Sequence, residues 1–450
     1  MRIILLTVFA IFTFSSHAQT KSYNDLGILF SKDDNRGTAR FNAMSGAFGA
    51  LGGDISSTNI NPAGAAVAKE NSVSITLSTS RIKQKSHYYN NSTNTQNNDT
   101  DISQAGSLLT FDSAYNSNWN RFAIFFNYNI KTNFSDSYIA EGFSTPVFDN
   151  HFSDPTTTGQ FDRNLHQYIS SETSGTNKTY DIGFSSAYKS KLFLGASLKL
   201  HSLEFSEITI FEEENDDIDG NILNIENYND TYIVGSGVSL NLGFIYKVNN
   251  SIRIGLAYET PTWYQEIIEE YFFDEYMGEI ANLNIDQFLN SNLSFGPDIF
   301  QYTYKSTNKT TLSGAYIFGT KGLISIDYTQ KGYKGIKFDD NNFSDINDNF
   351  TTDYRNTYSL KLGTEWRFNR VSLRGGASYE KNPNLITGGN TNKDNIKSFS
   401  LGLGYNFGNS KFDLSYTNSE NTDFYSISSN NDLNINNVSK LISGTFTFNL

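Results

Sequence analysis

Apolar residues alternate with small or polar residues along most of the chain from Asn71 onward. In SIRIGLAYE, at 251–259, one face carries Ile, Ile, Leu and Tyr, whereas the other carries Arg, Gly, Ala and Glu. Successive side chains of a strand point to opposite faces, so this period of two predicts strands with one apolar face. TYSLKLGTEWRF and SFSLGLGYNF repeat the pattern further along the chain.

Fourteen such segments are predicted, at 72–82, 103–112, 120–132, 178–189, 191–206, 231–247, 251–263, 299–318, 322–333, 352–368, 371–381, 396–407, 411–425 and 438–449. The connections between them alternate between short turns rich in Gly, Asn and Ser and long polar segments. Short turns at one end and long loops at the other are typical of an outer-membrane barrel. We therefore predict an all-β fold, a 14-stranded antiparallel transmembrane β-barrel over 69–450. An exported β-sandwich also alternates in this way and stays as the alternative.

The N-terminus predicts export. Arg2 precedes an apolar run from Ile3 to Phe14, and a small-x-small site follows at 16–18. This is the pattern of a signal peptide, residues 1–18, cleaved on the way to the cell outer membrane of a Gram-negative cell. The absence of Cys excludes disulfides, and a net charge of −13 disfavours nucleic acid as a partner.

A glycine-rich stretch, NAMSGAFGALGGDISSTNINPAGAA at 42–66, follows the predicted signal peptide. It lacks the Gly-Lys-Ser/Thr ending of a phosphate-binding loop, which argues against a nucleotide site. Its small residues allow close backbone packing, so we predict that residues 19–68 form a luminal hatch, with a linker containing an ordinary turn as the alternative. Pro62 restrains Asn61 to an extended or turn geometry. The predicted hatch residues are Gly46, Ala47, Phe48, Gly49, Asp54, Asn61, Pro62, Ala63 and Gly64.

The run GTARFNAMSGAFGALGGDISSTNINPAGAA resembles the N-terminal hatch of the FadL/TodX family of outer-membrane transporters of hydrophobic compounds. The small-residue run, Asp54 and the NPAG sequence in this order carry the resemblance. It implies a barrel with an internal N-terminus that takes up hydrophobic small molecules, such as long-chain fatty acids, passively. The rest of the sequence differs from that of the family, so the resemblance does not identify the substrate. A general porin, or the barrel component of a secretion or adhesion system, stays as an alternative.

Residues 263–280, WYQEIIEEYFFDEYMGEI, follow the seventh predicted strand. Apolar residues recur here at helical spacing opposite acidic ones, which predicts an amphipathic helix in an external loop. The resemblance implies that this loop helps to form the groove that first captures substrate, and the alternative is a helix that only packs on the barrel rim. The predicted capture residues are Trp263, Tyr264, Ile267, Ile268, Tyr271, Phe272, Tyr276 and Met277.

An acidic segment, NDDIDGNILNIE at 215–226, matches most of the pattern of a calcium-binding loop. The candidate ligands are Asn215, Asp217, Asp219 and Glu226. Asn replaces the usual first Asp, and the preceding sequence reads as a strand instead of a helix. A solvated acidic loop is therefore the alternative.

Charged residues also lie on the small face of the predicted strands. We expect them to pair inside the lumen and hold the hatch, with ion conduction as the alternative: Arg253, Glu259, Lys361, Glu365, Arg367, Arg374 and Glu380. No GxSxG or HExxH motif occurs, and no two His share a metal-ligand spacing. We expect no enzyme activity and no cofactor.

The expected partners follow from the predicted location. They are the hydrophobic substrate, outer-membrane lipid and lipopolysaccharide, and the barrel-assembly machinery. The last of these would recognise the C-terminal strand ISGTFTFNL, which places Ile442, Phe446, Phe448 and Leu450 on one face.

Overall fold

The computed structural model of the chain describes residues 21–113, 117–143, 145–147, 161–280, 291–294, 296–339, 341–385, 394–428 and 431–450. The predicted signal peptide, residues 1–18, lies outside these ranges. Within them, no helix is both long and apolar enough to cross a membrane.

One antiparallel sheet contains all the named strands. In chain order they are β1 (Ser72–Tyr88), β2 (Asn91–Asp112), β3 (Trp119–Asn133), β4 (Asp136–Gly142), β5 (Arg163–Tyr188), β6 (Leu192–Asp216), β7 (Ile222–Lys247), β8 (Ile252–Glu259), β9 (Trp263–Ile280), β10 (Ser291–Ser294), β11 (Asp298–Lys305), β12 (Lys309–Ile317), β13 (Gly322–Lys331), β14 (Lys337–Asp339), β15 (Thr357–Phe368), β16 (Val371–Glu380), β17 (Ile396–Asn406), β18 (Ser410–Ser428) and β19 (Asn431–Asn449).

The sheet closes on itself because β1 pairs with β19, from Ser72↔Asn449 to Tyr88↔Leu433. Several strands are consecutive pieces of one longer strand of the wall: β3 with β4, β8 with β9, β10 and β11 with β12, and β13 with β14. Counted in this way the wall has 14 strands, and the predicted fold class is confirmed.

Helices are few and short. α1 (Tyr23–Ser31) and α2 (Ala39–Ala43) precede the barrel, together with the 3₁₀ helices Ile55–Asn59 and Pro62–Val67. A third helix, α3 (Ser344–Thr352), and two short 3₁₀ helices, Tyr333–Gly335 and Asn341–Phe343, lie between β13 and β15.

The outer face of the wall exposes a belt of apolar side chains. Leu77 on β1 is 56% exposed, Leu401 on β17 is 58% exposed and Phe448 on β19 is 51% exposed. Apolar surface of this extent is unfavourable in water and favourable in hydrocarbon. The apolar face predicted from the alternation therefore points outward, and the belt defines a transmembrane barrel.

The strands extend well beyond several predicted segments. β6 runs to Asp216 and β7 starts at Ile222, so the predicted external loop 207–230 is reduced to a turn at 217–221. In the same way, β1 and β2 pair as far as Tyr88↔Asn91 across the predicted loop 83–102. Apolar alternation marks only the part of a strand that faces hydrocarbon, whereas polar segments form the same backbone ladder beyond it.

Candidate functional site

Residues 21–68, called the N-terminal segment below, are folded inside the barrel and contact its inner wall. The Ser45 N–H donates to Ser400 Oγ on β17 at 3.1 Å, and the Gly49 N–H donates to Asp327 Oδ2 on β13 at 2.9 Å. β13 and β17 are separated in the wall by β15 and β16, so they share no backbone hydrogen bonds. The N-terminal segment therefore links strands that are not neighbours.

The NPAG sequence starts a 3₁₀ helix against the wall. Asn61 is extended, with φ −136°, and its side chain accepts the Ala63 N–H at 3.1 Å. Its amide also donates to the carbonyl oxygens of Gly49 at 2.8 Å and Phe244 at 3.0 Å. Of the extended and turn geometries expected for the residue before Pro62, the structure has the extended one.

The predicted hatch residues lie together in this segment. Asp54 is half-buried, caps the 3₁₀ helix Ile55–Asn59 by accepting the Ser56 N–H at 3.0 Å, and pairs with Arg40 at 3.6 Å. The other predicted hatch residues are buried: Gly46, Ala47, Phe48, Gly49, Asn61, Pro62, Ala63 and Gly64.

Glycines on the inner wall let the N-terminal segment approach the strands closely. A Cβ added at Gly402 would lie 2.3 Å from Ala43 Cβ, and one added at Gly255 would lie 2.5 Å from the Gly49 carbonyl oxygen. Such contacts are too short for any side chain. Four further wall glycines approach the segment in the same way: Gly195, Gly243, Gly363 and Gly376.

Buried charges hold the segment to the wall on one side. Glu365 accepts from Arg40 at 2.7 Å and from Arg374 at 2.7 Å, and it also pairs with Arg367. Arg374 contacts Asp413 at 2.6 Å. Three guanidinium groups thus share two carboxylates, and Arg40 is the one contributed by the N-terminal segment.

A second group of charges surrounds Lys309. Its ammonium lies 2.8 Å from Asp33 and 3.4 Å from Glu259, and Glu259 also pairs with Lys199. Burial works against the charged form of Asp33, but Lys309 and Lys361 outweigh it and hold the pKa of that carboxyl well below its usual range. Asp33 is therefore an anion held by wall lysines.

The remaining predicted luminal charges also find partners inside the barrel. Arg253 donates to the Leu51 carbonyl oxygen at 2.7 Å, and Lys331 pairs with Glu380 at 2.5 Å. Lys361 donates to the Asn35 side chain. The expected ion pairs within the lumen form at Glu259, Glu365, Arg367, Arg374 and Glu380, whereas Arg253 and Lys361 bond to neutral oxygens of the N-terminal segment.

A cavity of about 40 Å³ lies among these groups. Asp33, Glu259, Lys309, Lys331 and Lys361 are part of its lining. A space of this size and polarity suits a few water molecules and cannot hold a hydrocarbon chain.

An aromatic cluster fills another part of the lumen. It contains Leu26, Phe30, Phe134, Leu203, Phe205, Ile233, Tyr264, Ile267, Tyr302, Tyr304, Tyr333, Ile336, Phe338, Phe343, Phe350 and Tyr354. These residues come from α1, from wall strands on both sides of β9, and from the segment between β13 and β15. Surface of this kind is what an apolar ligand needs for binding.

α1 occupies the middle of the aromatic cluster. The Phe30 ring packs edge-on against Phe205, with centroids 5.6 Å apart, and the Tyr23 ring packs against Phe343 at 4.8 Å. A Cβ on Gly27 would lie 2.7 Å from the Phe350 ring, so the helix approaches α3 as closely as glycine permits. The helix therefore covers apolar surface that a ligand would otherwise meet.

Hydrogen bonds fix the polar ends of the cluster. The Tyr304 hydroxyl lies 2.7 Å from Ser31 Oγ and donates to the Gly27 carbonyl oxygen at 2.6 Å. The Tyr302 hydroxyl donates to Glu269 Oε2 at 2.8 Å. These two phenols are satisfied, so their rings present apolar faces with little free polarity.

The helix predicted at 263–280 is wrong, because these residues form strand β9. β9 pairs with β7 on one side and β11 on the other, and both neighbours would lose backbone partners if it were helical. Its Ile, Phe and Tyr content also suits a strand. A register shift opposite Ser236 and Gly237 displaces the strand period and gives the apolar residues their helix-like spacing.

The strand separates the predicted capture residues. Tyr264 and Ile267 are fully buried in the aromatic cluster, and the Tyr271 hydroxyl donates to Asn229 at 2.6 Å. Three others lie on the outer face: Trp263, Ile268 and Phe272. Tyr276 and Met277 pair in the backbone ladder with Glu226 and Ile225.

The loop predicted to bind calcium is a hairpin. Asn215 lies in β6 opposite Leu223, and Glu226 lies in β7 opposite Glu212. A calcium loop must wrap its ligands around one point, whereas paired strands hold these two side chains apart along a ladder. Asp217 Oδ1 accepts the N–H groups of Asp219 at 2.9 Å and Asn221 at 2.7 Å. Over the described ranges, His, Asp and Glu form no group of three suited to a metal ion.

The wall has an irregular seam between β2 and β3. Their pairing stops at Gln104↔Asn129, although both strands continue, and β4 then pairs with β5. Part of the N-terminal segment fills the gap. The Asp34 N–H donates to the Lys131 carbonyl oxygen at 2.9 Å, and Thr132 Oγ1 donates to the Lys32 carbonyl oxygen at 2.8 Å.

The apolar exterior, the closed wall and the lumen filled by the chain's own N-terminal segment define a class, the transmembrane β-barrels with an internal plug. No family model matches the sequence, and no curated protein matches it. Solved structures do match it, over nearly the whole length.

A Pseudomonas aeruginosa FadL homologue is similar with a TM-score of 0.59 and 13% identity, covering 92% of this chain and 98% of that one. The toluene transporter TodX of Pseudomonas putida is similar with a TM-score of 0.54 and 15% identity, covering 93% and 99%. The Ralstonia pickettii toluene transporter TbuX gives 0.51 and 16%, covering 92% and 99%. The chain shares the fold of these transporters, as the resemblance in the hatch region implies.

Several residues of the site have no clear signal in the sequence. Phe134 lies in a segment that reads as a loop, and Phe338 and Phe350 follow the ninth predicted strand without any recognisable period. Phe205 lies at the end of the fifth predicted strand, where nothing in the sequence marks it as part of a cluster. In the sequence, the wall glycines are recognisable as small residues on the strand face opposite the apolar one. Their positions on inward-facing strand sites mark where the N-terminal segment packs.

Proposed function

We propose that the chain is an outer-membrane transport protein for the passive uptake of hydrophobic small molecules, such as long-chain fatty acids. The observation that carries the proposal is the aromatic cluster inside the barrel. A water-filled pore offers a hydrocarbon nothing to bind, whereas burial against apolar side chains is worth about 0.8 kcal/mol per CH₂ group. The cluster supplies that surface.

The similar structures support the same class of substrate. They include transporters of toluene and a channel for monoaromatic hydrocarbons. Their identity to this chain is low, so they favour a hydrophobic substrate without selecting between aromatic and acyl molecules.

We propose that residues 19–68 act as a hatch for the barrel formed by 69–450. The hatch links several strands through buried ion pairs and backbone hydrogen bonds, as at Arg40 and Gly49. It blocks the lumen as long as these contacts persist. Passage of a ligand therefore requires α1, or more of the hatch, to shift.

The proposed route begins at β9. Trp263, on the outer face, meets ligands at the membrane, whereas Tyr264, Ile267 and Tyr271 meet them inside the lumen. When α1 shifts, the aromatic cluster becomes the ligand site. The seam between β2 and β3 then offers a lateral exit, because backbone pairing ends there and the seam is held by the N-terminal segment and by side-chain hydrogen bonds from Asn133 to Asp99 and Asp101.

Two other functions remain as competitors. A general porin would conduct small sugars, and a secretion or adhesion component would bind exported proteins through its external turns. Neither function requires a buried aromatic cluster. We also retain the barrel-assembly machinery as a partner of the C-terminal strand, whose Phe446 and Phe448 lie exposed on the outer face.

The test measures binding and permeability with the full-length protein. We expect the purified protein to bind radiolabelled oleate or toluene saturably, and liposomes that contain it to swell in small sugars no faster than empty liposomes. Deletion of residues 21–60 should then raise the swelling rate. Sugar swelling by the intact protein without binding of either hydrophobic compound would contradict the proposal and favour a porin.

A further inference from the structure

The outer face of β1 changes abruptly from apolar to basic. Val73, Ile75 and Leu77 point outward and are exposed, and after Thr79 the next outward residues are Arg81, Lys83 and Lys85, all exposed. The change occurs at the edge of the apolar belt that is nearer to the turn between β1 and β2, here called the upper edge. Val73 and Arg81 are eight positions apart, close to the span of about 9–11 residues that a tilted strand needs to cross a membrane.

The neighbouring strand adds a further cation. Lys440 on β19 is the direct partner of Arg81 in the ladder, so the two side chains lie next to each other on the outer face. Like charges in directly opposed positions destabilise a sheet. Within the described ranges, no carboxylate lies within 4.0 Å of the charged nitrogens of Arg81, Lys83, Lys85 or Lys440. An anion between these cations would offset their repulsion.

The flank of these cations on β2 is polar and uncharged, whereas the flank on β18 carries the exposed Glu420. Asn98 on β2 lies opposite Arg81 and accepts from its Nε at 2.9 Å. Gln96 and Asn94 continue this row opposite Lys83 and Lys85. Amides at these positions can donate to and accept from hydroxyl groups, such as those of a sugar.

Elsewhere the same level of the wall carries charges of both signs, since Lys178 on β5 and Lys397 on β17 also lie on the outer face. On β6 the exposed, outward Leu198 and Leu200 are followed by Glu204, and Glu266 and Glu270 are exposed on β9. The whole chain also carries a net charge of −13. On β1 and β19, by contrast, four cations lie together on two adjacent strands.

We propose that Arg81, Lys83, Lys85 and Lys440, here called the basic patch, bind a phosphate group of lipid A, the phosphorylated glycolipid that anchors lipopolysaccharide in the outer leaflet. The proposal rests on the outer-membrane location in the proposed function. Guanidinium and ammonium groups are suited to phosphate. Leu77 and Ile442 lie directly below the patch for the acyl chains, and the amides of β2 lie beside it for the sugars.

Native mass spectrometry of the full-length protein in detergent tests this site with bis-phosphorylated lipid A as the probe. We expect the wild type to bind it and the triple variant R81Q/K83Q/K440Q to bind at least tenfold more weakly. A matched control, K189Q/K191Q/K321Q, removes the same charge from exposed lysines in the short turns at the other end of the barrel. This control should bind as the wild type does.

Two further probes separate the possible anions. Dephosphorylated lipid A and phosphatidylglycerol should both bind at least tenfold more weakly than bis-phosphorylated lipid A to the wild type. Equal binding of phosphatidylglycerol, or unchanged lipid A binding by the triple variant, would overturn the proposal. A shift in electrophoretic mobility on heating shows that each variant has folded, and R81K should retain binding.

The result is independent of the transport proposal. The basic patch lies on the outer face, away from the aromatic cluster, so the triple variant should bind labelled oleate as the wild type does. Loss of lipid A binding with normal oleate binding supports the patch. Absence of oleate binding by the wild type would contradict the transport function and leave the lipid A result standing.

Discussion

The Asp34 N–H donates to the carbonyl oxygen of Lys131 at 2.9 Å, at the point where β3 loses β2 as its partner. The Asp34 carboxylate also accepts the Asn133 N–H at 3.0 Å. The hatch thus completes the wall with its own backbone and side chain. Movement of the hatch and opening of the wall are therefore expected to be coupled.

Removal of the Asp34 carboxylate is expected to loosen this seam. In D34A the Asn133 N–H loses its acceptor, and a lost hydrogen bond to a charged group costs about 1.5–3 kcal/mol. Hydrogen exchange of the amides at 130–133 should be faster than in the wild type. D112A, which removes an exposed carboxylate at the other end of β2, should leave that exchange unchanged.

A disulfide between the hatch and the wall is expected to block uptake. Ser45 Oγ and Ser400 Oγ are 2.8 Å apart, and the chain has no Cys, so S45C/S400C introduces the only thiols. Oxidised cells should take up labelled hydrophobic substrate at the rate of cells without the protein, and a reductant should restore the rate.

The control for this experiment is a disulfide within the wall. Ser378 Oγ and Ser398 Oγ on neighbouring strands are 2.6 Å apart, and S378C/S398C should not affect uptake in either redox state. Full uptake by oxidised S45C/S400C would mean that this part of the hatch stays in place while ligand passes.

Substitutions at two positions of β9, Ile267 and Phe272, are expected to differ in their effect on ligand binding. Ile267 is buried in the aromatic cluster, whereas Phe272 lies on the outer face. Burial of a large aliphatic side chain is worth about 1.5–3 kcal/mol, so I267S should weaken oleate binding about tenfold or more. F272S should bind within a factor of two of the wild type in the same equilibrium assay.

An added side chain at a wall glycine is expected to displace the hatch. Gly402 has Ala43 Cβ 2.3 Å from the position of an added Cβ, whereas the nearest atom at Gly375 is 3.9 Å away. G402V should raise the rate of liposome swelling in small sugars and expose residues 32–43 to trypsin. G375V should do neither, and equal behaviour of the two variants would contradict a closely seated hatch.

Much of the architecture could be predicted from the sequence because the membrane imposes a simple rule on the wall. Each residue between Ile252 and Tyr258 faces either hydrocarbon or the lumen. The alternation therefore predicts the strands, the face of each strand that points outward and the number of strands in the closed barrel. The rule ends where hydrocarbon ends. The polar strands above it, such as residues 91–101 of β2, carry no such pattern and read as loops.

The hatch and the aromatic cluster were predictable to different degrees. The hatch has a local signal, since Asn61, Pro62 and a run of small residues specify a tight, close-packed segment. The aromatic cluster has none, because Phe30, Phe205 and Phe350 come from distant parts of the chain and meet only through the tertiary fold. The spacing around Ile267 was even misleading, because a register shift in a strand imitates a helical period.

The most direct measurement of the central claim is the uptake of labelled oleate and of labelled toluene by Gram-negative cells, with and without this protein in the outer membrane, beside the uptake of a small sugar. We expect faster uptake of at least one hydrophobic compound when the protein is present, with sugar uptake unchanged. Equal uptake of both hydrophobic compounds with and without the protein would contradict the proposed transport function.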